Sequence, residues 1–299
     1  MKRAFFACVA VLALVPAPAF ACACGCSIFD VGTSSLIPSG PGGTAFLELD
    51  LLDQTKNWSG DSRAPAADND DKHISSEFWL AGGQYMFDED WGAMVEVPYT
   101  ERLFKSADPD NTGTFRHDAL GDIKLMGVYS GFDPDMSSGV IFGVKLPTGD
   151  HTYAHFDSDV EIGSGSTDLI LGAYKTGAFD VSQSFSWFAQ AMWQHEVATQ
   201  NGYTPGSELN GAAGVSWNDM GAGLVPILQM LVSRRGRDSG ANGEPDETGY
   251  TRLLISPGLE ARIDSWKLYA DVELPVYQHV NGDQLVAPAA FKFVASYAF

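Results

Sequence analysis

The sequence predicts an all-β protein, a 12-stranded antiparallel transmembrane β-barrel of the outer-membrane type. Three observations lead to this prediction. Segments of about ten residues alternate apolar and polar side chains, short and long connections alternate between them, and residues 291–299 continue the alternation to a phenylalanine. About ten residues in a tilted strand cross the apolar core of a bilayer. A closed barrel also leaves no backbone group unpaired in lipid.

The segment 291–299 carries the clearest pattern, with the period of two expected for a strand. One face holds Phe291, Phe293, Ala295, Tyr297 and Phe299, and the other holds Lys292, Val294, Ser296 and Ala298. The segment resembles the C-terminal signature of Gram-negative outer-membrane barrels. That resemblance implies that barrel-assembly machinery recognises the Phe299 strand. The alternative is the last strand of a soluble sandwich, whose free edge would favour aggregation.

The first 21 residues have the features of a secretory signal. Lys2 and Arg3 precede a short apolar stretch, and Ala19-Phe20-Ala21 is a small-x-small cleavage site. The apolar stretch is too short to span a bilayer as a helix. We therefore expect a protein of the Gram-negative outer membrane in three parts: a signal peptide at 1–21, a Cys- and Gly-rich periplasmic lead at 22–43, and a transmembrane barrel at 44–299.

The first six predicted strands differ in how clearly they alternate. In the first, Leu47 and Leu49 are expected to face lipid while Glu48 and Asp50 face the lumen. In the second, Gly82-Gly83 leaves the assignment of the two faces ambiguous. These six strands are predicted at about 44–53, 74–86, 91–103, 119–131, 138–146 and 167–177.

The last six predicted strands include one weak member. In the eleventh, Trp266 and Leu268 alternate with Lys267 and Tyr269. The ninth is nearly all apolar and contains Pro226, so its register is poorly specified. These six strands are predicted at about 183–195, 207–217, 222–233, 249–262, 265–276 and 291–299.

Connection lengths and aromatic residues both distinguish the two ends of the predicted barrel. Short periplasmic turns and longer extracellular loops are typical of outer-membrane barrels, and interfacial belts of Trp and Tyr flank the apolar band. Trp91 and Trp217 fall on the turn side, and Trp193 and Tyr250 on the loop side. The long loops are predicted at roughly 54–73, 104–118, 147–166, 196–206, 234–248 and 277–287.

The inward positions are expected to form a polar lumen wall in a narrow barrel. One interpretation is a wall whose charges pair or are solvated, and the other is a lumen that selects solutes by charge. The candidates are Glu48, Asp50, Glu96, Asp122, Lys124, Lys145, Arg252, Glu260, Arg262, Lys267, Tyr269, Asp271, Glu273 and Lys292.

Three thiols lie close together in the lead, at Cys22, Cys24 and Cys26. Three such ligands suit a soft ion, Cu(I) or Zn(II), with a fourth ligand from elsewhere. Two other interpretations remain open. Two of the thiols could form a small disulfide loop in the oxidising periplasm. Cys22 could instead be acylated, although Ala19-Phe20-Ala21 lacks the aliphatic residue of a lipobox.

A second candidate cation site lies in the loop after the fifth predicted strand. Carboxylates and imidazoles there could bind a divalent cation weakly, whereas the alternative is an acidic loop exposed to solvent. The candidate residues are His151, His155, Asp157, Asp159 and Glu161.

Two short motifs resemble a known family. Residues 143–150 read GVKLPTGD, and residues 163–172 read GSGSTDLILG. This pair is similar to the pattern of the outer-membrane barrels named for the meta-cleavage pathway of phenol degradation. The resemblance implies transport of hydrophobic or aromatic compounds and no catalytic residues. In physical terms, Pro147 is expected to end a strand and Gly149 to permit a turn.

The sequence therefore favours a porin-like channel for passive passage of small solutes. A net charge of −20 argues against nucleic acid as a partner. The expected partners are outer-membrane lipid, a small-molecule solute and further copies in a homo-oligomer. The alternative is a metal- or redox-linked barrel that uses the thiols of the lead. An enzyme is not expected, because His117, His195 and His279 lie near strand ends without a nucleophile motif.

Overall fold

A computed structural model describes residues 37–38, 40–179 and 181–299. Cys22, Cys24 and Cys26 lie outside these residues. Among the described residues no helix is long and apolar enough to cross a membrane. The strands are β1 (Gly42–Gln54), β2 (Lys56–Gly60), β3 (Ser62–Arg63), β4 (Asp71–Met86), β5 (Trp91–Ser106), β6 (Gly113–Leu120), β7 (Lys124–Tyr129), β8 (Ser138–Lys145), β9 (Ser166–Ala178), β10 (Phe185–Thr199), β11 (Glu208–Trp217), β12 (Leu224–Arg235), β13 (Tyr250–Ile263), β14 (Trp266–Val286) and β15 (Ala290–Ala298).

The strands form a closed antiparallel barrel. The wall runs β13-β12-β11-β10-β9-β8-β7-β5-β4-β1-β15-β14, and β14 pairs back with β13. β6 and β7 both pair with β5, so they share one wall position that is interrupted at 121–123. β2 and β3 form a small hairpin on the far end of β14 and are not part of the twelve. The predicted 12-stranded barrel is confirmed.

Two predicted loops are largely strand. β5 continues to Ser106 and β6 begins at Gly113, so most of the predicted loop 104–118 extends the wall. β14 runs for 21 residues to Val286 through most of the predicted loop 277–287. Both extensions carry polar residues on their outer faces, as Arg116 and Asp118 do on β6. The alternation of apolar and polar residues that predicts these strands therefore ends several residues before the strands themselves end.

The two faces of the wall are inverted relative to those of a soluble sheet. On β15, Phe291 and Phe293 are 47% and 44% exposed, whereas Lys292 between them is 2% exposed. Among the described residues no second layer of protein covers the outward apolar side chains, and the inward charged side chains are removed from solvent. Lipid around the barrel accounts for both observations.

Aromatic pairs line the turn side of the barrel. Trp91 lies opposite Tyr129 with ring centroids 4.7 Å apart. Trp266 lies opposite Tyr297 at 5.1 Å. Cross-strand pairs of this kind stabilise neighbouring strands at the level where a lipid headgroup region is expected. Tyr250 does not belong to an outer belt, because it is 3% exposed and packs inside the barrel with Val280.

Prediction: a Phe293→Arg substitution on the outward face of β15 destabilises the barrel by about 2–4 kcal/mol, because a cation is placed in hydrocarbon. Urea-dependent folding into phosphatidylcholine vesicles measures the effect. Phe293→Leu, which keeps the face apolar, is the matched control and remains near the wild-type value. Equal stability of the Arg and Leu variants would show that this face is not in lipid.

Candidate functional site: the lumen cavity and the inner loop

Residues 146–165, which we call the inner loop, connect β8 to β9 and fold into the barrel. Phe156 and Val160 are 8% and 0% exposed and pack with Ile74, Phe104 and Leu285. Ile74 and Phe104 are inward residues of β4 and β5. The inner loop thus covers the lumen from the side of the long loops, and the expected acidic loop exposed to solvent is wrong for its buried part.

Asp122 anchors the inner loop where the wall is interrupted between β6 and β7. Its Oδ1 accepts the Gly149 N–H at 2.9 Å. Its Oδ2 accepts the Ser164 N–H at 2.9 Å and the Ser164 hydroxyl at 2.6 Å. Both sequence motifs therefore meet at one carboxylate, which lies between them in space although it precedes both in the chain.

The wall and the inner loop also share backbone hydrogen bonds at the interruption. The Ile123 N–H donates to Thr148 Oγ1 at 2.9 Å, and the Leu146 N–H donates to the Ile123 carbonyl at 2.8 Å. The Asp150 N–H donates to the Leu120 carbonyl at 3.4 Å. These bonds replace ladder bonds that the interruption removes, since a buried backbone group without a partner is costly.

The motif glycines allow two backbone segments to touch. A Cβ on Gly163 would lie 2.4 Å from the carbonyl carbon of Gly149, and a Cβ on Gly149 would lie 2.7 Å from the Gly163 Cα. Gly149 does not have a positive φ. Its role includes the close approach of backbones, and the bend at this position needs no left-handed conformation.

Charged side chains reinforce these contacts. Lys145 Nζ lies 2.8 Å from Asp168 Oδ2 and 3.4 Å from Asp122 Oδ2. Arg102 donates to the Val160 carbonyl, to the Glu161 carbonyl at 3.1 Å and, through Nε, to Ser76 Oγ. Removing one member of such a buried network leaves its partners unsatisfied.

Two histidines join the outer part of the inner loop to β6. His117 stacks on Tyr153 with centroids 4.2 Å apart, and its Nε2 lies 2.9 Å from Asp150 Oδ2. His155 stacks on Phe115 at 4.3 Å. The loop is therefore held by an aromatic cluster above and by Asp122 below.

A cavity of about 180 Å³ lies beneath the inner loop. Part of its lining is apolar, with Phe78, Leu80, Pro98 and Ile162. Its charged lining comprises eight carboxylates and four basic groups. These are Glu48, Asp50, Glu96, Asp122, Glu161, Asp168, Glu196 and Glu208, with Arg102, Lys124, Lys145 and Arg235.

Below the cavity, toward the turn side, the lumen contains an apolar cluster. Its members come from six neighbouring wall strands, from β10 through β15, together with β1. Beside it, Asp271 Oδ2 accepts hydrogen bonds from Ser256, Tyr269 and Gln229 at 2.6, 2.7 and 2.9 Å. The cluster consists of Phe46, Phe188, Ala212, Val225, Ile227, Leu231, Leu254, Tyr269 and Val294.

The predicted lumen residues fall into three groups. Arg262 is exposed at the turn-side end, with Nε 2.6 Å from Glu260 Oε1. Partly buried are Glu96, Lys124, Arg252 and Lys267. Buried are Glu48, Asp50, Asp122, Lys145, Glu260, Tyr269, Asp271, Glu273 and Lys292. A role for any of them in passing a solute stays a prediction.

Several residues that line the cavity were not among the predicted lumen residues. Arg102 shares the inward face of β5 with Glu96, so a strict period of two would have found it. Arg235 ends β12, whose apolar sequence hid the alternation that the structure shows from Val225 to Arg235. Glu208 begins β11 within the predicted strand 207–217 and is in phase with the inward Asn210, so the same period would have found it too.

The loop cation candidates do not converge. His155 Nδ1 lies 3.2 Å from Asn111 Oδ1, and His151 Nδ1 lies 3.2 Å from the Gly149 carbonyl. Asp159 and Glu161 are buried, whereas Asp157 lies nearer the loop surface. Within the described ranges no group of three or more His, Cys, Asp or Glu side chains could hold a metal ion.

Solved structures with a similar fold are outer-membrane β-barrels. The chain is similar to the COG4313 outer membrane channel from Pseudomonas putida F1, with a TM-score of 0.68 and 8% identity over 90% of this chain and 100% of that one. The fold is that of an outer-membrane β-barrel. The β domain of the Bordetella autotransporter BrkA is also similar, with a TM-score of 0.51 and 12% identity over 86% and 100% of the two chains. No protein-family description and no curated sequence matches this outer-membrane barrel.

Prediction: Asp122→Ala loosens the inner loop, because the N–H groups of Gly149 and Ser164 lose their acceptor and Lys145 loses one of its two carboxylate partners. Breaking a buried pair of this kind costs about 3–5 kcal/mol. Limited proteolysis of the barrel in detergent should then show new cleavage within 146–165. Asp135→Ala, in a turn on the opposite side, leaves the cleavage pattern unchanged. Full protection of the Asp122→Ala loop would contradict the assigned anchor.

Prediction: docking of the inner loop weakens as pH rises toward 9. Burial, with the negative charge of Asp150 nearby, raises the pKa of Glu161 from 4.5 to about 8. The docked loop thus prefers protonated Glu161. The protonated carboxyl stabilises the docked loop fully below about pH 4.5, and this stabilisation is lost as the pH rises through about 8. Hydrogen exchange in 146–165 should accelerate about tenfold or more between pH 7 and 9 after correction for intrinsic rates. Glu161→Gln should remove most of this change, and an equal change in that variant would exclude Glu161 as its source.

Proposed function

We propose that the protein is an outer-membrane channel for passive passage of small solutes. The observation that carries this proposal is the cavity of about 180 Å³ inside the closed wall, lined by both charged and apolar side chains. Such a lining supports contact with a solute rather than only a packed core. The similarity to a barrel described as an outer membrane channel adds support.

The contents of the lumen favour small solutes. The inner loop narrows one side of the path, and the apolar cluster around Phe46, Phe188 and Leu254 occupies the other. The apolar wall formed by Phe78, Pro98 and Ile162 suits a solute with a hydrophobic or aromatic part. A large hydrated solute does not fit between these elements without their displacement.

Prediction: protein lacking only the signal peptide gives steady, small conductance steps in planar bilayers. Replacing Cys22, Cys24 and Cys26 by Ser does not change them. In that Ser background, Glu96→Cys places a thiol on the cavity wall. Its modification by a bulky cationic methanethiosulfonate reduces conductance at least about twofold, because it narrows and recharges the path.

Asp110→Cys is the matched control, since Asp110 is an exposed acid in the turn between β5 and β6. Its modification leaves conductance unchanged. Two results would refute the channel: no conductance above that of protein-free bilayers, or identical effects of modification at positions 96 and 110.

A further inference from the structure

The charges around the cavity are unbalanced. Eight carboxylates and four basic groups line it. Lys292 adds one cation from below, with Nζ 2.8 Å from Glu48 Oε1 and 3.5 Å from Asp50 Oδ1. Eight carboxyl groups therefore outnumber five basic groups on a wall that is shielded from bulk solvent.

The basic groups of the lining are already engaged. Lys145 lies between two carboxylates, and the guanidinium of Arg235 lies 3.0 Å from Asp238 Oδ1. Arg102 bonds two carbonyls of the inner loop, and Lys124 also has a partner. An anionic solute would have to displace these contacts, whereas a cationic one could approach the carboxyl groups that Lys145 and Lys292 do not hold.

Glu161 supplies a second, independent observation. The residue is 8% exposed and lines the cavity, and its Oε2 is buried without a hydrogen-bond partner among the described residues. Buried carboxylate oxygens are normally paired, because an unpaired one loses its hydration without compensation. Burial raises the pKa of this carboxyl to about 8, and a positively charged group bound in the cavity would favour its ionised form.

The apolar wall defines the rest of the ligand. Phe78 lies on the cavity, and the Arg102 guanidinium carbon is 5.4 Å from its ring centroid. The ring of Phe78 also suits contact with an aromatic or aliphatic portion of a ligand. Pro98 and Ile162 extend this surface.

We propose that the cavity is a binding site for a small organic cation that has an aromatic or aliphatic portion. Glu161 and Glu96 face the cationic group, and Phe78 contacts the apolar portion. The inference deepens the proposed function, on which it rests, by naming the solute class that the channel selects.

Binding of benzyltrimethylammonium to the full-length mature protein in detergent tests this inference. Isothermal titration compares it with benzyl alcohol and benzoate, which share the aromatic ring but are neutral and anionic. We expect saturable one-to-one binding of the cation that is at least about tenfold tighter than binding of either analogue. At pH 9, where Glu161 is ionised, Glu161→Gln and Glu96→Gln should each weaken it about fivefold, because each then removes one close charge. Asp110→Asn removes an equal charge outside the cavity and should leave it unchanged.

The outcomes distinguish failure of the proposed cation site from failure of the proposed channel function. Equal affinity for benzoate, no saturable cation binding, or unchanged binding in both Gln variants would overturn the cation site. Retention of the folded, heat-sensitive gel mobility by both variants excludes misfolding as the cause of weaker binding. Conductance from the same preparations tests the proposed function independently. A conducting barrel that fails to bind the cation refutes only the solute class.

Discussion

The pairing of β1 with β15 is the interaction on which the rest of the structure depends. It runs from Thr44–Ala298 to Leu52–Ala290 and closes the wall. Without it, both strands would present unpaired N–H and C=O groups to hydrocarbon, at a cost of several kcal/mol for each group. Closure also defines an inside, so the same alternation that places Phe293 in lipid places Lys292 beside Glu48.

The inner loop depends on this closed wall and also completes it. The interruption at 121–123 turns Asp122 toward the lumen, where it holds Gly149 and Ser164. In return, Thr148 satisfies the Ile123 N–H. The cavity therefore lies between a wall and a loop that share hydrogen bonds, and its carboxylates are positioned by both.

The fold was accessible from the sequence because lipid and lumen demand opposite chemistry on alternate residues. β14 illustrates this, since Trp266 and Leu268 face outward and Tyr269 and Asp271 inward as their pattern indicates. The contacts of Asp122 were not accessible in the same way. They join residues 27 to 42 positions apart through a loop whose path no local pattern encodes. The apolar cluster inside the lumen was also missed, because Val225 and Ile227 lie in a strand that is apolar on both faces.

The shared hydrogen bonds at 121–123 have a consequence for how the chain assembles. β7 could not enter lipid with the Ile123 N–H and carbonyl unpaired, so Leu146 and Thr148 must be near when that part of the wall inserts. We therefore infer that β6, β7, β8, the inner loop and the start of β9 fold together as one cooperative unit. Its contacts span short sequence separations compared with the closure of β1 on β15, which joins the two ends of the barrel. Loop-closure entropy favours the former over the latter, so this unit is expected to form before the barrel seals.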